Sequence, residues 1–204
     1  MSDNTRLTPA IRFKGYTNAW VQRKLGEVCD VRDGTHDSPK YHKTGHPLVT
    51  SKNLTDRGLD MSDVSFISDE DFESINKRSK VDIGDIIFGM IGTIGKPVML
   101  DRCNFAIKNV ALIKNGGEVI NNFLLQLLKS TSFGLYIQSE NAGNTQKFLG
   151  LSKIREYSFA APSLPEQTAI GNFFRILDIV ITEQAVKMQQ LKQLKAAYLQ
   201  KMFV

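Results

Sequence analysis

The stretch PSLPEQTAIGNFFRILDIVITEQAVKMQQLKQLKAAYLQKMFV, residues 162–204, contains no proline after Pro165 and only Gly171 as a breaker. Ser163 and Glu166 have the spacing of a capping box, in which each side chain satisfies a backbone N–H of the other. Pro165 falls in the first turn, where its missing N–H costs little. Apolar residues then recur at Ile170, Phe173, Leu177, Val180, Met188, Leu191, Leu194 and Tyr198, with Gln184 interrupting the series. Gaps of mostly three and four predict one long amphipathic helix over 163–204 with a heptad-like stripe. At 1.5 Å per residue, roughly 38 residues form a rod about 57 Å long.

Such a rod is longer than a small domain needs as cover. Its stripe either packs across its own domain or forms a coiled coil with a second long helix. No second long amphipathic pattern occurs in the 204 residues. A coiled coil therefore requires a partner subunit or a second copy of the chain. Gln184 on the seam would help to fix register at some cost in stability.

Upstream of the rod the pattern changes. Residues 1–19 read as a polar arm punctuated by Pro9 and Gly15. Residues 20–162 mix short strand signals with turns. Glu27–Val31, Pro47–Thr50, Asp85–Ile91, Pro97–Leu100 and Val110–Ile113 read as strands, rich in β-branched and aromatic residues between Gly, Asn and Asp. Asp69–Lys77 reads as a helix with Ser68 as N-cap, followed by helices over Asn121–Ser130 and Ser132–Glu140. Strands and helices do not alternate as a nucleotide-binding α/β repeat requires. The expected fold is α+β: a globular domain with a mixed, curved sheet and short helices, followed by the long helix.

A hydrophobic fraction of 42% allows a full core, and a net charge of +5 is compatible with a polyanionic partner. Cys29 and Cys103 are far apart and form no CxxC pair, which points to reduced thiols rather than a disulfide framework or zinc knuckle. The polar N-terminus lacks the apolar core of a signal peptide, and no run approaches the roughly 18 apolar residues of a membrane span. A soluble, cytoplasmic protein is expected.

FGMIGTIGKP, residues 88–97, invites a nucleotide reading. A phosphate loop needs G-x-x-x-x-G-K followed by Ser or Thr. Here Met90 stands at the leading position and Pro97 replaces the hydroxyl residue. Pro97 has no N–H and disfavours a helix before it. Gly89, Gly92 and Gly95 fit a strand ending in a tight turn instead. His36, His42 and His46 share one segment with Asp33 and Asp37, broken by Pro39 and Pro47, and lack a helical HxxxH frame for a metal. No GxSxG elbow, no glycine-rich S-adenosylmethionine loop and no Pro-Pro methyltransferase motif occurs. Two loops, Asp33–Tyr41 leading to Val49–Asn53 and Asn141–Phe148, carry donors and acceptors suited to base edges. The same residue types are also ordinary turn chemistry.

Leu164-Pro165-Glu166-Gln167, Ile170-Gly171, Phe173-Phe174 and Leu177-Asp178 resemble the conserved-helix signature of type I restriction-modification specificity subunits. Leu191–Lys195 and Leu199–Phe203 extend that resemblance. Ile11-Arg12-Phe13, Trp20 and Arg23–Val28 are similar to the usual start of such a subunit. Thr50–Leu54, Ile91–Lys96 and Thr145–Leu149 resemble its target-recognition domain.

The resemblance implies a protein that selects duplex DNA and catalyses nothing. Modification (methyltransferase) subunits and a restriction motor-nuclease subunit would supply S-adenosylmethionine, ATP and Mg²⁺, so the chain itself needs no cofactor and no metal. The usual member has two recognition domains held apart by two antiparallel helices. One of each is present here, as expected for a natural half-subunit, a truncated product or an excised piece. A homodimer, or a pair with another specificity half-subunit, would then complete the site. Thr35, His36, Tyr41, Lys52, Asn53, Thr93, Lys96, Asn144, Gln146 and Lys147 are the DNA-binding candidates. The helix stripe from Ile170 to Tyr198 is the dimer-interface candidate. A decoy that only contacts other subunits, and a nucleotide-using enzyme, are the alternatives.

Overall fold

The computed structural model describes residues 7–142 and 147–203. Strand β1 (Val21–Lys24) pairs antiparallel with β11 (Ser158–Ala161), so the start and end of the head lie side by side. Between them run α1 (Leu25–Val28), β2 (Val31–Asp33), β3 (His46–Val49), a 3₁₀ turn at Ser51–Asn53, β4 (Leu54–Thr55), β5 (Gly58–Leu59) and β6 (Ser65–Ile67). Then follow α2 (Asp69–Ser79), β7 (Ile86–Gly89), β8 (Gly95–Met99), β9 (Ala106–Ile107), β10 (Val110–Ile113), α3 (Asn121–Lys129), α4 (Thr131–Glu140) and α5 (Leu151–Glu156). Helix α6 (Leu164–Met202) closes the order.

The fold is α+β with a long C-terminal helix, as expected, but the strands divide among small sheets. Four strands in the order β2-β10-β7-β8 pair antiparallel, and β6-β3-β9 contains the parallel pair, β3 with β9. The four-stranded sheet is covered on both faces, which explains why its central strands are apolar throughout. Ile86, Phe88, Ala111 and Ile113 face a core completed by Phe123, Leu124, Phe133 and Tyr157. The alternate residues Ile87, Val110 and Leu112 face a second core with Val49, Leu54, Phe105 and Ile107. Burying one such large side chain contributes about 1.5–3 kcal/mol.

Ser68 caps α2 by accepting a hydrogen bond from the Asp71 N–H at 3.1 Å. The expected strand over Glu27–Val31 is overturned. Leu25 and Val28 are both buried, at the three-residue spacing of one helical turn, and the Cys29 N–H donates to the Leu25 carbonyl. Strand pairing begins only at Val31.

The capping box of α6 does not form either. Ser163 is the N-cap residue but makes no side-chain cap, and Glu166 turns inward to Arg12 instead of back to Ser163. A bidentate, charge-assisted pair is stronger than a neutral cap contact. Gln167 bridges the head to the helix by accepting from the Ile120 N–H at 2.9 Å and donating to the Pro162 carbonyl at 3.0 Å. Gly171 lies on α3, where an added Cβ would meet the Asn122 Cβ at 2.9 Å. Ile170 packs against the head's own core, so it belongs to the anchor and not to the free stripe. Beyond it, Asn172 through Phe203 are all exposed. The rod packs closely on its own domain over its first turns, and farther out Ile181, Val186 and Gln190 line an open cleft with Thr55–Gly58 and Pro97–Met99 of the head. Among the described residues no helix is long and apolar enough to cross a membrane.

Candidate nucleic-acid interface

Several loops of the head meet on one face because backbone groups tie them together. Thr35 bridges Lys108: its N–H donates to the Ile107 carbonyl at 3.0 Å and its carbonyl accepts the Asn109 N–H at 3.1 Å. The Lys108 N–H donates to the Val49 carbonyl at 2.9 Å, so the β9–β10 connection passes between the Asp33–Tyr41 loop and the end of β3. The Met90 N–H donates to the Asn109 carbonyl at 3.3 Å, bringing in the glycine-rich turn. The Ser51 hydroxyl reaches the Ile91 carbonyl at 3.3 Å, and the Gly92 N–H reaches the Lys147 carbonyl at 3.2 Å.

The turn over Met90–Ile94 is the centre of this face. Strands β7 and β8 close on it with Gly89 opposite Gly95 and a register shift after Ile87. A side chain at Gly89 would collide with the Thr93 carbonyl, and Gly95 has φ +90°, so glycine is required at both positions. The reading of this stretch as a strand ending in a tight turn therefore holds. Lys96 has φ +53° and is exposed, as is Thr93.

His36 is held through both of its ring nitrogens. Its Nδ1 lies 2.9 Å from Asn109 Oδ1 and its Nε2 lies 2.9 Å from Asp33 Oδ2. The Asn109 hydrogen bond, then the Asp33 hydrogen bond, raises the imidazole pKa above the ordinary histidine value. Arg78, from α2, binds the other Asp33 oxygen at 3.2 Å and the Gly34 carbonyl at 3.1 Å. Lys108 is buried, and its ammonium donates to the Ser38 hydroxyl at 2.8 Å.

Thr35, His36, Lys52, Thr93, Lys96 and Lys147 thus border this connected face. Tyr41 is exposed farther along its loop, where the neighbouring His42 N–H pairs with Phe66 of β6. Lys52 and Asp63 form an exposed pair at 3.2 Å, worth at most about 1 kcal/mol, which a phosphate can displace. Asn53 is a correction. It is buried, its Oδ1 accepts from the Thr50 N–H at 3.0 Å, and its amide donates to the Asp60 and Asp63 carbonyls at 3.1 and 2.9 Å. Those bonds shape the 3₁₀ turn and leave no edge for a base. Asn144 and Gln146 lie outside the described residues. His46 stacks on Phe72 at 3.9 Å and faces Asp69, while no group of three metal-ligand residues occurs among the described residues.

Lys108, Asn109 and Arg78 were not anticipated. Asn109, at φ +56°, carried one local signal, since Asn tolerates the left-handed region between two apolar runs. Nothing local could pair it with His36, 73 residues away.

The head thus carries a loop face on one side and a helix rooted in it at one end, through Glu166, Gln167 and Gly171. The chain belongs to the family of type I restriction modification DNA specificity domains, whose model matches residues 18–195. A relative from Methanocaldococcus jannaschii, assigned as the type I restriction enzyme MjaX specificity subunit, is 25% identical over 195 residues. The match covers 90% of this chain and 45% of that protein. The crystal structure of the type I restriction-modification S subunit from M. genitalium aligns with a TM-score of 0.63 at 17% identity, over 96% of this chain and 48% of that one. The HsdS subunit from Thermoanaerobacter tengcongensis aligns with a TM-score of 0.57 at 16% identity, over 90% and 42%. At these identities the solved structures speak for the fold. The chain spans less than half the length of each of these relatives.

Proposed function

We propose that this chain is a non-catalytic DNA reader, which recognises one half of a bipartite duplex site through the loop face and joins a second copy through α6. The observation that carries the reading is the family match, which runs unbroken across head and helix. The exposed stripe Phe173, Leu177, Val180, Met188, Leu191, Leu194 and Tyr198 supports the pairing. A two-fold pair of identical readers selects two inverted copies of one half-site.

Lys52, Lys96 and Lys147 are assigned to phosphates, and Thr35, Tyr41 and Thr93 to base edges, with Asn144 and Gln146, close to Lys147 in sequence, as further base-reading candidates. Phosphate contacts set register and affinity, whereas base contacts set sequence. A good bidentate base contact discriminates by about 1–3 kcal/mol. Modification subunits and a restriction motor-nuclease subunit complete the complex in the cytoplasm. They bring S-adenosylmethionine, ATP and Mg²⁺.

Enrichment of randomised duplexes on the purified chain tests the reading. It should yield an inverted repeat, with affinity falling steeply as salt rises. Binding without any sequence preference would remove the reader, and a single unrepeated element would remove the pair.

A further inference from the structure

Arg12 lies 154 residues from Glu166, yet its Nε and Nη2 donate to the two Glu166 oxygens at 2.6 and 2.7 Å. Glu166 is 1% exposed. The same guanidinium donates to the Asn18 carbonyl at 2.7 Å, and the Trp20 indole N–H points at the carboxylate from 3.4 Å. The Trp20 N–H donates to the Leu7 carbonyl, which folds residues 7–20 into a closed loop. Phe13 meets Phe173 edge to face with ring centroids 5.7 Å apart, and the Tyr16 hydroxyl reaches the Pro165 carbonyl. These contacts run from Pro165 to Phe173, about two turns of α6. Gln167 and Gly171 bind the same turns to the head and α3. The root of the rod is gripped from two sides, and without the arm one side is left.

From this we infer that the arm, through Arg12 on Glu166, sets the angle at which α6 leaves the head and so the spacing of DNA half-sites that a pair of chains accepts. Arg12 is a positioning residue and touches no DNA. The consequence for DNA rests on the paired-reader reading; the grip on the helix does not. Beyond Asp178, which Gln126 and Lys129 of α3 still reach, the rod is roughly 36 Å long, so a swing of about 10° moves its tip by about 6 Å. That is nearly two base pairs at about 3.4 Å each. A buried ion pair adds little stability over an apolar pair of similar volume, but it can select one geometry. Glu166 is well placed for that, because its carboxylate fits one arrangement of arm and helix.

The test compares the 204-residue chain with the double variant Arg12→Met, Glu166→Leu, which leaves no unpaired buried charge. Arg12→Met alone strands the carboxylate and serves as the destabilised control. Two measurements are made. Spin labels at Ser62→Cys on the head and Gln193→Cys on α6, in a Cys103→Ser background diluted with unlabelled chain, report the head-to-helix distance. DNA carrying two inverted half-sites at graded spacings reports spacer preference.

The wild-type chain should show one narrow distance and one preferred spacing. The double variant should remain folded, bind a single half-site as well as wild type, and show a broadened distance with a spacing optimum spread or shifted by about two base pairs. An unchanged distance distribution would overturn the inference whatever the DNA shows. An unchanged spacing profile in a double variant whose distances have broadened would overturn the link to DNA. A wild type with no spacing preference would instead contradict the paired-reader reading.

Discussion

The head and the outer part of α6 are both rich in large apolar side chains, and they treat them in opposite ways. Ile86, Ile87 and Phe88 on β7 are fully buried between two cores. Phe173, Leu177, Val180, Met188, Leu191, Leu194 and Tyr198 remain 39–57% exposed along the rod. The head closes its core with residues of its own chain. The helix past Gly171 has only thin ties to it, such as Asp178 with Gln126 and Lys129 at 3.2 and 3.4 Å. An exposed apolar stripe of that length is the surface that the proposed pairing would bury.

The sharpest way to break this contrast is to charge the stripe. Leu191→Asp with Leu194→Asp should weaken self-association by more than about 100-fold, or roughly 3 kcal/mol. Light scattering across a dilution series reads this directly. The head should stay folded, and an unchanged mass would mean that the stripe is not the seam.

The next change strikes the head alone. Lys114 binds the buried Asp85 carboxylate and lies 2.7 Å from Asp82. Burial pulls the ammonium down, but its hydrogen bonds to Asp82 and Asp85 outweigh this and hold its pKa above the ordinary lysine value. Lys114→Met leaves the buried Asp85 side chain without its cation, and should cost about 3 kcal/mol in urea unfolding. Loss of association without loss of stability would contradict the division of labour.

Between the two regions, Gly171→Leu forces a side chain against Asn122 and Phe123 of α3. About 1–3 kcal/mol of destabilisation is expected from such overpacking. A neutral result in thermal melts would show that the root is looser than described.

On the loop face, His36 should titrate above the ordinary value of about 6.5 when followed by NMR. Because its folded pKa is raised, its contribution is complete below the ordinary value and is lost as pH rises through the raised one. The stability of the head should therefore decline across that window, and His36→Gln should flatten the decline. A titration at or below the ordinary value would remove the Asn109–His36–Asp33 link. The smallest effect concerns the thiols. Burial, then the charge of Glu118, pushes Cys29 up to about 11, while Cys103 is exposed. One equivalent of maleimide per native chain should react near neutral pH, and Cys103→Ser should abolish that reaction.

Much of this contrast is visible before any coordinates. Spacings of three and four residues revealed α6, and its start at Leu164 lies one residue from the expected boundary. Apolar runs bounded by Gly, Asn and Asp located β7, β8 and β10, and Met90 with Pro97 turned the glycine-rich stretch from a phosphate loop into a strand ending in a tight turn. The misreadings share one cause. Glu166 looked like a local cap but answers to Arg12, and Asn53 looked like a base reader but answers to Asp60 and Asp63. Ile170 matched the stripe yet serves the core. Periodicity records which face is apolar, not what lies against it, and side-chain partners distant in sequence leave no local pattern.

The central claim is that a pair of these chains reads DNA for a methylating complex. Methylation-site sequencing of cells carrying the chain with its modification subunits tests it most directly. The account predicts one chain-dependent methylated motif, built as two inverted half-sites separated by a fixed spacer. Methylation that is the same with and without the chain would contradict it.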